Sequence, residues 1–126
     1  MRSCLNARSV ITSARTGEVA LRAEGGRKPR VLLAEDCDPV RVVTTAMLTG
    51  MGCEVDAVPH GEEAVRHACA SPFDVIVLDI EMPIMDGIAA ARSIRRLRPP
   101  ASTTPIMALS AFLADAMHSA EWGEAF

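Results

Sequence analysis

The chain has 126 residues, room for one buried core and so one domain, and its 49% apolar and 23% charged residues exclude an unfolded polar chain. No apolar run nears the length of a membrane span. The net charge of −3 is uneven: residues 1–30 carry seven basic side chains against two acids, while residues 31–126 carry six arginines against fourteen acids, so the acidic part is a poor DNA binder.

Residues 1–29 read as a basic, flexible arm or linker, with Gly25-Gly26-Arg27-Lys28-Pro29 as its flexible end, and a folded domain is expected from residue 30. Val31-Leu32-Leu33-Ala34 is a short apolar run, the pattern of a parallel strand covered on both faces. Asp38-Pro39 reads as an N-cap followed by proline at the first helical position, and Val40, Val43, Met47 and Met51 recur at helical spacing until Gly52. From Cys53 to Val58 apolar and charged residues alternate, which predicts an edge strand. A short helix over 61–70 follows, with Ala64, Val65 and Ala68 inward, and Ser71-Pro72 stops it.

Phe73 to Leu78 is the third strand, ended by Asp79. After the Pro83 turn and Asp86-Gly87, a third helix is marked by Ile88, Ala91, Ile94 and Leu97 and closed by Pro99-Pro100. Pro105-Ile106-Met107-Ala108-Leu109 predicts a fourth buried strand, and a fourth helix is expected over 113–122. Cys4, Cys37, Cys53 and Cys69 form no metal or redox motif and read as reduced, mostly buried thiols of a cytoplasmic protein.

Strands alternating with helices predict an α/β fold, a doubly wound parallel sheet of order 2-1-3-4 with right-handed crossovers. Ligands in such sheets gather at the carboxyl ends of the strands beside the switch point, here between the first and third strands. Topology thus brings Glu35, Asp36, Asp79 and the hydroxyl of Ser110 to one edge. Acids this close must either share protons or be neutralised by a hard divalent cation, and oxygen ligands alone favour Mg²⁺. Such a cluster suits phosphoryl capture on a carboxylate, whereas a single strand-end acid would read as a loop cap.

The segments Val31 to Asp36, Val77-Leu78-Asp79-Ile80-Glu81-Met82-Pro83-Ile84-Met85-Asp86-Gly87 and Pro105 to Ala111 resemble, in order and spacing, three motifs of the response-regulator receiver family, above all receivers of hybrid histidine kinases. That resemblance implies a flavodoxin-like receiver over residues 30–126 with Asp79 as the phosphoacceptor of a two-component phosphorelay. Asp36 would bind Mg²⁺ directly, Glu35 mainly through water, Asp79 itself and the backbone carbonyl of Glu81 would complete the protein ligands, and Ser110 would bond the phosphoryl group as the switch hydroxyl. Met82 reads as packing under the loop, and Asp86-Gly87 as shaping the turn into the third helix without a part in the chemistry. The implied partner is a histidine kinase or histidine phosphotransfer protein, and the implied role is regulatory, with at most slow self-dephosphorylation.

The family's lysine at the end of a fifth strand has no counterpart, because the one lysine is Lys28. A C-terminally truncated receiver is therefore expected, with the fifth strand and fifth helix missing and the fourth strand open to self-association or to a partner strand. Two other readings stand beside this one. The first is an interaction module impaired in phosphorylation, and the second a metal-dependent phosphatase using Asp79-Ile80-Glu81 as its acid pair.

Overall fold

The apolar runs pair into one parallel sheet in a computed structural model that describes residues 10–13, 20–82 and 84–109. Its strands are β3 (Arg30–Ala34), β4 (Glu54–Val58), β5 (Val75–Asp79) and β6 (Ile106–Leu109), in the order β4-β3-β5-β6. That is the predicted 2-1-3-4 order. Between them run α1 (Asp38–Gly50), α2 (Gly61–Ala70) and α3 (Gly87–Arg95), with a short 3-10 turn at Ala101–Thr103. From β3 the chain steps outward to β4 and then crosses to β5, so right-handed connections put α1 on one face and α2 and α3 on the other.

The core lies under α2 and α3. Leu32, Ala34, Ile76, Leu78 and Ile106 point from the sheet to Ala64, Ala68, Ala90, Ala91 and Ile94, all buried. Small alanines on both helices let them pack against each other as well as on the sheet. On the α1 side cover is thinner. Val31 and Leu33 are buried there, Val75 and Val77 are half-buried, and Met107 is 59% exposed.

Four local expectations change. No residue of α1 is fully buried: Val40, Val43 and Met47 face solvent, and Arg41, Thr44, Thr45 and Leu48 form the half-buried face. Apolar spacing found the helix, but two neighbouring stripes share that spacing, and Arg41, on the half-buried one, donates to the Glu35 carbonyl. Asp38 is the first residue of α1 and not its cap; Cys37 is the N-cap without a side-chain bond, and the Asp38 carboxylate accepts from Arg41 instead. Third, β6 is an outer strand among the described residues, as the missing fifth strand implies, but only Ile106 of this strand expected to be buried is so. Fourth, of the described thiols Cys53 is buried while Cys37 and Cys69 are exposed, against the expectation of mostly buried cysteines.

The arm is not featureless. β1 (Val10–Ser13) and β2 (Ala20–Ala23) pair antiparallel as a separate two-stranded sheet, and β1 contains the β-branched run Val10-Ile11-Thr12. Its junction with the sheet is also tied down. Arg27 donates two bonds to Asp74, at 2.8 and 2.7 Å, the backbone N–H of Arg30 donates a third at 2.8 Å, and Pro29 is buried. The Arg30 guanidinium lies 4.7 Å from the Phe73 ring centre and bonds Asp56. The expected fourth helix, Ser110 and Pro83 lie outside the described residues.

Candidate functional site

The register fixes the site. Ala34 pairs with Leu78, and Asp79 pairs with Leu109, so the ends of β3, β5 and β6 lie side by side at the carboxyl edge. The order reverses between β3 and β5, and a crevice opens there because the two connecting chains leave in opposite directions. Glu35, Asp36, Cys37, Val40, Thr44, Asp79, Glu81 and Leu109 line it.

Each acid is held by backbone geometry. Glu35 donates its N–H to Val58 at 3.0 Å, continuing the ladder one residue past β3 and turning its side chain inward, where only 4% of the residue is exposed. Its carboxylate accepts from the Cys37 N–H at 3.1 Å, while Arg41 reaches back to the Glu35 carbonyl at 2.9 Å and locks the turn. The Asp79 carboxylate accepts from the Glu81 N–H at 3.2 Å. Asp86 caps α3 by accepting from Ala89 at 2.8 Å, and the Gly87 N–H donates to the Ile80 carbonyl at 3.0 Å, closing the loop over Asp79. Met82 is buried in the core, as packing under the loop requires.

The loop contains one unfavourable conformation. Ile84, 89% exposed, sits at φ +70°, a region that β-branched side chains rarely adopt.

One carboxylate oxygen from each of Glu35, Asp36 and Asp79 lies within 4.8 Å of the others. Burial, then the hydrogen bond and charge of Asp79 and the hydrogen bond to Asp36, push the Glu35 carboxyl up to about 7, against a partial opposing pull from the Cys37 N–H. Burial also raises Asp79, though bonds from Glu35 and the Glu81 N–H pull it back. A proton on Glu35 donated to Asp79 accounts for both. The cluster therefore holds more negative charge than its surroundings accept, and its donors are hard oxygens. That is the donor set of a Mg²⁺ site. Of the residues predicted for the edge, Glu35, Asp36 and Asp79 converge and Glu81 lines the same crevice.

The sequence profile of the response regulator receiver domain matches residues 31–123. The chain belongs to that family. The receiver is 45% identical over 85 residues to a two-component response regulator of Oryza sativa subsp. japonica, covering 64% of this chain and 65% of that one. It is 37% identical over 99 residues to the sensor protein GacS of Pseudomonas syringae pv. syringae, covering 73% of this chain and 11% of the sensor. It thus spans less than two thirds of the length of these curated relatives.

Among solved structures, the receiver domain of a sensor histidine kinase from Pseudomonas aeruginosa, with a magnesium ion coordinated in its active-site cleft, superposes with a TM-score of 0.68 at 33% identity, over 79% of this chain and 80% of that one. The receiver domain of the histidine kinase CKI1 from Arabidopsis thaliana, complexed with Mg²⁺ and BeF₃⁻, gives a TM-score of 0.59 at 36% identity, over 67% and 66%.

Sequence reasoning missed two groups that shape this receiver's site. Arg41 was hidden because its role runs through a backbone carbonyl. Gly87 was assigned only to a turn, yet it also touches the Asp79 backbone.

Proposed function

We propose that Asp79 of this receiver accepts a phosphoryl group from the phosphohistidine of a histidine kinase or histidine phosphotransfer protein, with Mg²⁺ held by Glu35, Asp36, Asp79 and the Glu81 carbonyl. The observation that carries this reading is the convergence of three carboxylates within 4.8 Å at the switch point. Bound Mg²⁺ supplies the positive charge that lets an anionic phosphoryl group approach an anionic nucleophile.

The chain's own residues do the rest. Asp79 stands at the end of a buried strand, so its carboxylate has little freedom and meets the incoming phosphorus in one orientation. The Glu81 N–H bonds one Asp79 oxygen and leaves the other to attack. Glu35 must give up its proton before it can neutralise a cation, and Asp36, half-exposed at the mouth, is the first acid an entering ion meets. Ser110 follows Leu109 in the sequence and is the proposed switch hydroxyl.

The second reading, a module that binds partners and is phosphorylated poorly, has one observation in its favour. Lys28, the one lysine in the sequence, precedes β3 at the far end of the sheet, so no lysine among the described residues faces the acidic crevice. On that second reading capture by Asp79 is slow. Incubation with a phosphohistidine donor tests both readings. Label that needs Mg²⁺ and disappears in Asp79→Asn supports the first, whereas no label on the wild-type chain at any time leaves the second.

A further inference from the structure

The charge of this domain is divided between its two ends. Acids crowd the carboxyl edge of the sheet, whereas four of the six arginines in residues 31–126 fall within residues 92–98, at the end of α3 and in the connection to β6. Arg92 and Arg95 occupy the last turn of α3, where they complement the helix dipole, and Arg95 also turns inward to the Thr104 carbonyl at 2.6 Å. Arg96 and Arg98 lie past that turn, are exposed, and form no salt bridge among the described residues.

Both border a groove of about 560 Å³ between the end of α2 and the α3–β6 connection. Its apolar lining includes Ala68, Leu97, Pro100 and Ala101, and no acid lines it. We infer that this groove is a docking site for an acidic peptide segment of a protein partner, with an apolar side chain in the groove and carboxylates on Arg96 and Arg98. Apolar lining with two flanking guanidinium groups matches a short segment in which acidic and aliphatic residues alternate. A nucleic acid fits less well, because backbone binding draws on roughly six to ten phosphate contacts and gains little from an aliphatic lining. The groove lies at the end of the domain away from Asp79, so a partner could occupy it while the acidic crevice stays open.

The test uses the full chain and a fluorescein-labelled octapeptide alternating glutamate with leucine, followed by anisotropy. The wild type is expected to bind saturably, and Arg96→Gln with Arg98→Gln to bind at least about tenfold more weakly. Circular dichroism checks that the double variant is folded. A lysine–leucine peptide should not bind, and a glutamate–serine peptide should bind at least about tenfold more weakly than the glutamate–leucine one. Cys69 on the groove wall gives a local reading: bound peptide should slow its alkylation and leave that of Cys37, beside the acidic crevice, unchanged. Absence of saturable binding, equal binding by the double variant, unprotected Cys69, or displacement by duplex DNA at lower concentration than by unlabelled peptide would each overturn the inference.

Discussion

Gly87 presses against the backbone of Asp79: a Cβ at Gly87 would stand 2.4 Å from the Asp79 carbonyl oxygen and 2.9 Å from the Ile80 Cα. No L side chain fits without moving the strand end that carries Asp79. Gly87→Ala is therefore expected to cost about 1–3 kcal/mol, the usual penalty of overpacking against backbone. It should also weaken Mg²⁺ binding. Urea titrations with and without Mg²⁺ measure both effects, and an unchanged midpoint would show that the loop yields freely.

The acidic cluster makes stability depend on pH in a definite direction. Glu35 has its carboxyl raised from 4.5 to about 7, so between those values the folded chain holds a proton that the unfolded chain has released. Stability must then fall as pH rises through that window, by roughly 3 kcal/mol. Mg²⁺ displaces the proton, so its affinity should rise with pH through about 7, and at a hundredfold excess over Kd it should add about 2.7 kcal/mol. Asp79→Asn removes one crowded charge and should flatten the pH profile while abolishing the Mg²⁺ gain. Thermal melts from pH 4.5 to 8 decide this, and stability rising toward pH 7 in the absence of Mg²⁺ would contradict it.

Arg27 lies outside the strand yet belongs to the folded unit. Its two bonds to Asp74, which is 7% exposed, hold that carboxyl below the ordinary range together with the Arg30 N–H, although burial alone pushes the other way. Arg27→Ala leaves a buried carboxylate with one backbone partner. Because Arg27 itself is half-exposed, the loss should be about 1–2 kcal/mol rather than that of a fully buried pair. It should vanish as pH falls below the ordinary carboxylate range and Asp74 protonates. A chain starting at residue 30 should lose more, because the buried Pro29 and the bond its carbonyl accepts from the Glu54 N–H go with Arg27, and denaturant midpoints measure both losses.

Much of this was legible in sequence. Strands covered on both faces, Val31 to Ala34 and Val75 to Leu78, cannot be confused with amphipathic elements, and the alternation from Cys53 to Val58 marks an edge. Once the order was set, strand ends alone brought Glu35, Asp36 and Asp79 together. What stayed hidden has no pattern in one dimension. Arg41, on the half-buried stripe of α1, reaches a carbonyl six residues back, a contact no periodicity marks. The Arg27–Asp74 pair joins positions 47 residues apart. The hairpin of the arm lies in a stretch whose basic residues read as a solvated tail.

The central claim is that Asp79, and no other acid of the cluster, carries the phosphoryl group. Borohydride reduces an aspartyl phosphate to homoserine, which peptide mass spectrometry locates directly. After exposure to a phosphohistidine donor with Mg²⁺, homoserine is expected at position 79, accumulating slowly, and absent when the metal is chelated. Reduction at Glu35, Asp36 or Glu81 would contradict the account.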